Sequence, residues 1–164
     1  MKTLTMWVDK VLTTFLISLM ALIVLVVTWQ VVTRFLMSTP SSVTEELARF
    51  LLIWIGVLGS SYALRTRAHL GIDILSTKLQ GRQKDYLTLG IYLLVILFAA
   101  LVMVVGGVRL VILTFSLEQI SAALGIRMGY IYLVLPLSGS LMIYYSVYFI
   151  WSTWSKQVET NGGS

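Results

Sequence analysis

The sequence predicts an all-α integral membrane protein with four transmembrane helices and a short amphipathic interfacial helix between helices two and three. Two observations support this class. Of the 164 residues, 58% are hydrophobic and 12% are charged, whereas soluble domains carry about 25% charged residues. Charge-free runs cover Val11–Thr33, Tyr86–Val108 and Met128–Ser155, and each exceeds the roughly 20 residues that cross about 30 Å of hydrocarbon.

The four spans are predicted at about residues 9–35, 45–66, 86–110 and 128–154 of a single domain, 1–155, followed by a polar tail at 156–164. A further charge-free run, Phe50–Leu64, is too short to cross the membrane, so the second span has to include the charged residues at both of its ends. Leu110–Leu117 is still apolar, and the third helix is therefore expected to continue past Arg109, whose guanidinium would reach the outer surface. Pro136 is expected to kink the fourth helix.

The N-terminus resembles a signal peptide only in its first residues. Lys2 and Lys10 precede an apolar run that is longer than the roughly 7–15 residues of a signal core, and no small-residue cleavage site follows. The first span is therefore expected to stay in the protein. After a turn at Pro40, Thr44 is the expected N-cap of helix two, with acidic residues following in its first turn.

Residues 70–84 form the predicted interfacial helix. Ile72, Leu75 and Leu79 recur at spacings of three and four, while Lys78 and Arg82 fall on other faces. This segment is too short to span a membrane, and its pattern is typical of a helix lying among lipid headgroups.

The distribution of Lys and Arg predicts the orientation. Eight of them would lie on one side of the membrane and four on the other. The richer side should be cytoplasmic, which places both termini in the cytoplasm. The eight residues are Lys2, Lys10, Arg65, Arg67, Lys78, Arg82, Lys84 and Lys156, and the four are Arg34, Arg49, Arg109 and Arg127.

Composition also limits the function. The net charge of +5 comes from basic residues beside apolar spans, so it is a topology signal and does not indicate a nucleic-acid partner. There is no cysteine and only one histidine, and we expect no metal site, no cofactor and no enzymatic activity. The sequence has no duplicated halves and no ionic site at mid-membrane depth, which argues against solute transport by this chain alone.

A few residues are candidates for contact with a partner. Glu45 and Arg49 are four residues apart and can pair on one helix face, either as a solvated helix end or as part of a docking surface. His69 lies beside basic residues, and interfacial placement is favoured over a pH-sensing role. Small residues that allow close helix approach, within the chain or with a partner, are Gly56, Gly59, Ser60, Gly125 and Gly129.

Two stretches carry a family resemblance. They read WQVVTRF, from Trp29, and EELARFLLIWIGVLGSSYALRTRAHLGIDIL, from Glu45. Together with LPLSG in the fourth span, they resemble the small membrane subunit of TRAP (tripartite ATP-independent periplasmic) transporters. The matching positions are Arg34, Glu45, Glu46, Arg49, Trp54, Gly56, Arg65, His69 and Asp73.

The resemblance implies an accessory role in the bacterial inner membrane. In this family a soluble periplasmic protein captures an organic acid, and a large elevator-type subunit carries it with a sodium gradient. The small subunit braces the large one. Sialic acid is the favoured substrate, followed by C4-dicarboxylates. The alternative from the residues alone is an independent small homo-oligomeric channel or anchoring protein. The partner-interface candidates are Glu45, Glu46, Arg49, Trp54, Gly56, Arg65, Arg67, His69, Asp73, Leu75 and Arg127.

The predicted orientation can be tested with single cysteines, because the chain has none of its own. A membrane-impermeant thiol reagent added to sealed cells should label a cysteine at Glu118 and leave one at Lys78 unlabelled. The opposite labelling pattern would contradict the orientation.

Overall fold

Four long apolar helices dominate the structure, a computed structural model. It describes the backbone of residues 2–36, 41–66 and 82–161 and the side chains of 5–36, 41–66 and 87–151. Four stretches are long and apolar enough to cross a membrane: Thr5–Leu36, Ser42–Arg65, Leu87–Ser116 and Met128–Trp151. The predicted all-α class is therefore confirmed, with four helices that could serve as the predicted spans. The predicted interfacial helix lies outside the described residues, except for 82–84, which begin the third helix.

The helices extend beyond the predicted spans. The first two are α1 (Lys2–Leu36) and α2 (Ser42–Arg65). The third span consists of α3 (Arg82–Phe98), a π-helical segment (Ala99–Gly106) and α4 (Gly107–Ser116), so it continues past Arg109 as expected. The fourth consists of α5 (Met128–Tyr132) and α6 (Val134–Asn161).

The N-cap of α2 is Ser41, and the prediction of Thr44 is wrong. The Ser41 hydroxyl accepts a hydrogen bond from the backbone N–H of Thr44 at 3.5 Å. Thr44 therefore occupies the third position of the helix, which is where a capping side chain finds an unpaired donor. The local sequence offers several hydroxyl residues in a row, and the one that caps is the one that precedes the first helical residue.

Proline interrupts the fourth span, as expected. The helix breaks at Leu133, between α5 and α6. Pro136 has no N–H to donate to the carbonyl of Tyr132, four residues earlier, and its ring crowds that carbonyl. Helical bonding resumes with the Leu137 N–H, which donates to the Leu133 carbonyl at 3.3 Å.

The spans are arranged as a row. Helix α1 packs on α2, α2 packs on α6, and α6 packs on the third span. Among the described residues there is no extensive contact between the third span and either of the first two. The order across the row is therefore one, two, four, three. The two edge spans are mostly exposed, while the core lies along the middle helices around Leu58, Val134 and Tyr145.

Glycines allow the third and fourth spans to approach each other. A Cβ atom on Gly139 would lie 2.8 Å from the Met103 Cβ, and one on Gly107 would lie 2.9 Å from the Pro136 Cδ. Both distances are too short for a side chain to fit without displacing its neighbours. The sequence indicated other positions instead. Of these, Gly129 is packed against Phe115, whereas Gly56, Gly59 and Gly125 have no neighbouring atom within 4 Å of a Cβ position.

Two serines connect the middle helices inside the core. The Ser138 hydroxyl donates to the Val57 carbonyl at 2.7 Å, and the Ser61 hydroxyl donates to the Ser138 carbonyl at 3.1 Å. The two hydroxyl oxygens are 2.6 Å apart. Both side chains are buried, and because their hydrogen bonds are made inside the chain they join α2 to α6 without leaving a polar group free.

An ionic cluster joins three helices at the opposite end from Ser41. The Asp9 carboxylate accepts hydrogen bonds from the Arg65 Nε at 2.9 and 3.1 Å, and an Arg65 terminal nitrogen lies 2.8 Å from it. The Tyr145 hydroxyl donates to the same carboxylate at 2.9 Å. The Arg65 guanidinium also lies 5.9 Å from the centre of the Phe149 ring. The cluster therefore holds α1, α2 and α6 together through a single carboxylate.

Replacing Asp9 should destabilise the chain more than replacing Tyr145. With side chains only 22% and 30% exposed, Asp9 and Arg65 are largely shielded from water. Asp9→Ala leaves the guanidinium without its partner and should lower the free energy of unfolding by about 1–3 kcal/mol, against about 1 kcal/mol for Tyr145→Phe. Unfolding in detergent micelles measures both, with Lys10→Ala as the exposed control. Equal effects of Asp9→Ala and Lys10→Ala would contradict this assignment.

Candidate partner-binding surface

A compact hairpin, defined as residues 118–127, connects α4 to α5. Its two arms pair at Ile120 and Arg127. The Ser121 N–H donates to the Ile126 carbonyl at 2.9 Å, and the Gly125 N–H donates back to the Ser121 carbonyl at 3.1 Å. Gly125 has a φ of +67°, which glycine adopts without strain. The hairpin is therefore an ordered turn with its own hydrogen bonds.

Glu46 binds the tip of this hairpin. Its Oε2 accepts hydrogen bonds from the backbone N–H groups of Ala123 at 2.8 Å and Leu124 at 3.0 Å. Hydrogen bonds to an ionised acceptor are roughly twice as strong as neutral ones. The first turn of α2 is thus bonded to a loop 77 residues later in the chain. The carboxylate of this candidate residue is therefore engaged by the chain's own hairpin.

Glu45 and Arg49 form the expected pair on the other side of α2. An Arg49 terminal nitrogen lies 3.2 Å from the Glu45 Oε1, and the side chains of Arg49 and Glu45 are 66% and 57% exposed. Exposed pairs of this kind contribute about 0–1 kcal/mol. The pair therefore does little for stability and remains accessible to a partner.

Further charged and apolar side chains are exposed at the same end of the row. Arg127 and Glu118 are exposed on the hairpin. Ile120, which is 61% exposed, and Ile126 lie between them in the sequence. The hairpin end, meaning α2 from Ser42 to Arg49 together with the hairpin, thus presents charge and apolar surface side by side.

The other candidates lie elsewhere. Trp54 is inside the row, with its ring edge-on to Phe15 at 6.1 Å between centroids. Gly56 is exposed in the middle of α2, and Arg65 is paired with Asp9 at the far end. Arg67, His69, Asp73 and Leu75 lie outside the described residues. The structure therefore brings four of the candidates together at the hairpin end, namely Glu45, Glu46, Arg49 and Arg127.

Asp9 and Tyr145 were not identified from the sequence. One signal was available for Asp9. It precedes the first apolar run, Arg65 follows the second, and these two positions lie on the same side of the membrane in the predicted topology. Opposite charges at matching ends of two adjacent membrane helices are candidates for pairing. Tyr145 carries no such signal, since it is one of several tyrosines in an apolar helix.

The polar groups of the described residues mostly hold the chain together. Among the side chains that the structure describes, no three His, Asp or Glu residues gather where they could hold a metal ion. Apart from tyrosine hydroxyls, the buried polar side chains in the same set are all serines and threonines. What remains is a row of apolar helices with a polar, ordered surface at one end.

Comparison with known proteins gives the family. Residues 23–156 match the family described as "Tripartite ATP-independent periplasmic transporters, DctQ component". The chain is 31% identical over 128 residues to the sialic acid TRAP transporter small permease protein SiaQ of Vibrio cholerae. The aligned region covers 78% of this chain and 72% of that protein.

Two further relatives carry different substrate names. The C4-dicarboxylate TRAP transporter small permease protein DctQ of Rhodobacter capsulatus is 29% identical over 101 residues, covering 61% of this chain and 44% of that protein. The isethionate TRAP transporter permease protein DctMQ of Oleidesulfovibrio alaskensis is 29% identical over 134 residues, covering 78% of this chain and 21% of that protein.

This chain belongs to the DctQ family and is the small permease component of a TRAP transporter, not an enzyme.

Proposed function

We propose that this chain braces the large subunit of a sodium-driven TRAP transporter that imports an organic acid, and helps the periplasmic solute-binding protein to dock. It would have no substrate site of its own. Family membership implies both partners, and the DctMQ relative combines the two permease components in one name. Sialic acid is the favoured substrate because the SiaQ similarity extends over 72% of that protein, and a C4-dicarboxylate is next.

The observation that carries the bracing role is the row itself. In the described part of the chain the spans pack side by side, with α1 also bonded to α6 through Asp9 and Tyr145, and this arrangement favours a supporting surface over a pore. The broad apolar faces of α1 and the third span are exposed. In a membrane these faces have to be covered by lipid or by another protein, and a row of four helices can cover a wide area of a larger subunit.

The exposed position of Gly56 favours contact between α2 and another subunit. Its position is exposed, and no atom lies within 4 Å of where a Cβ would be. The packing of this chain therefore does not require a glycine there. A small residue on an open helix face lets a helix of another subunit approach closely, and we assign this part of α2 to the contact with the large subunit.

The hairpin end is proposed to face the periplasm, because the Lys and Arg asymmetry favours cytoplasmic termini. The exposed charges at this end, Glu45, Arg49 and Arg127, would then be accessible to the binding protein. Arg109 is exposed on the third span, and its side chain would extend to the lipid headgroups of the same surface.

Co-purification tests the proposed assembly. A tagged copy of this chain, co-expressed with a large TRAP membrane subunit from the same organism, should elute with that subunit in a one-to-one ratio. A stable homo-oligomer that excludes the large subunit would instead support the independent channel.

Reversing the charge of Arg49 should weaken docking. Arg49→Glu should raise the binding-protein concentration needed for half-maximal uptake several-fold, with a smaller effect at high salt, because exposed charges act mainly on the rate of encounter. Uptake into proteoliposomes measures this, and excess binding protein should restore the rate. Lys156→Glu makes the same change in net charge at the other end of the chain and should have no effect. If both variants behave alike, the docking role of Arg49 is contradicted.

A further inference from the structure

The hairpin has hydrogen bonds between and within its arms, but its tip also bonds to another helix. Its arms are joined at Ile120–Arg127, and the Met128 N–H donates to the Gln119 carbonyl at 2.9 Å. Ordering each residue of a loop costs roughly 1–2 kcal/mol of conformational entropy. A further contact from another helix therefore helps to keep the hairpin in one conformation.

Glu46 supplies that contact at the tip. Two consecutive backbone N–H groups, those of Ala123 and Leu124, converge on one oxygen of its carboxylate. The Ser121 hydroxyl accepts a third bond, from Leu124 at 3.3 Å, and Ser121 is itself buried. The tip is thus tied to the first turn of α2, and the side of the hairpin that carries Ser121 is directed towards the protein.

The opposite side of the hairpin is open. Ile120 and Arg127 are paired across the arms and both are exposed, as are Glu118 and Gln119. A small apolar area surrounded by charged and polar side chains is typical of the centre and rim of a protein–protein interface. The adjoining charges would be poorly placed in hydrocarbon. The partner that fits is therefore a soluble protein, and on the proposed periplasmic side that is the solute-binding protein.

We propose that Glu46 is a positioning residue that holds the hairpin in its docking conformation, and that Ile120 on the outer side of the hairpin contacts the solute-binding protein. The proposal rests on the proposed function, and it separates the roles of two adjacent acids. Glu45 is exposed and available to the partner, whereas Glu46 acts only through the hairpin. A surface that is ordered before binding loses less entropy when the partner docks.

The expected consequence differs from that of an exposed charge. Loss of the Glu46 carboxylate should increase the binding-protein concentration for half-maximal uptake and leave the maximal rate unchanged, because the docked state, once formed, is the same. The increase should depend less on salt than that of Arg49→Glu, because the carboxylate acts through its bonds to the hairpin and not by contact with the partner. Arg49→Glu, by contrast, should show a salt-dependent effect.

Hydrogen exchange and uptake, measured on the complete transporter, test the two halves of the proposal. In Glu46→Ala the Ala123 and Leu124 amides should exchange on the order of tenfold faster, with a several-fold higher half-saturating concentration of binding protein. Glu46→Gln keeps a neutral acceptor and should show a smaller change in both. Glu45→Gln is the matched control and should leave the two amides unchanged.

Each outcome leads to a separate conclusion. Unchanged exchange at Ala123 and Leu124 in Glu46→Ala would overturn the positioning role. Faster exchange with an unchanged half-saturating concentration would show that the hairpin does not dock the binding protein, while the proposed function would stand. Where Glu46→Ala lowers the yield of the complex, Ile120→Ser decides the matter. It leaves the Glu46 bonds intact and should raise the half-saturating concentration, and an unchanged value would reject the docking surface.

Discussion

A carboxylate in or beside hydrocarbon is costly unless it is paired, and the described part of this chain satisfies that requirement three times. Asp9 is bonded to Arg65 and Tyr145, Glu45 to Arg49, and Glu46 to two backbone amides of the hairpin. The first and third of these contacts join elements that are distant in sequence. The Asp9 contacts join the helices at one end of the bundle, and the Glu46 contacts join α2 to the hairpin at the opposite end. The position of the hairpin depends on the Glu46 contacts.

Between the two ends the row is held by close packing. Gly107 and Gly139 bring the third and fourth spans together, and the Ser61–Ser138 contact joins the second and fourth. In a membrane there is little hydrophobic drive for helices to associate, so small residues and satisfied hydrogen bonds do this work. The same physics explains why the edge helices are exposed. Among the described residues, the third span packs only on the fourth, and α1 packs on α2 with side-chain bonds to α6 at one end. Wide apolar faces are therefore left exposed, which is expected for a subunit whose remaining surface is covered in an assembly.

The sequence was sufficient to predict features that depend on residues close to one another in the chain. The four spans, the extension past Arg109, the break before Pro136 and the Glu45–Arg49 pair all follow from composition or from residues a few positions apart. The features that it did not reveal involve residues far apart in the sequence. The order of the helices in the row, the glycines that are packed, the Asp9–Arg65 pair and the Glu46–hairpin bonds each depend on which helix lies beside which. Periodicity does not specify that order. Glu46 illustrates the difference, because its neighbour Glu45 has a local partner and could be assigned, whereas its own partners lie 77 residues away.

The central claim is that this chain is needed for transport but carries no substrate. The most direct measurement is uptake of sialic acid into proteoliposomes under a sodium gradient, in the presence of the solute-binding protein, with the large subunit alone and with both membrane subunits. We expect uptake only when both are present, and no binding of sialic acid or sodium to this chain when it is purified by itself. Full-rate uptake by the large subunit alone would contradict the accessory role, and binding of either solute to the isolated chain would contradict the absence of a substrate site.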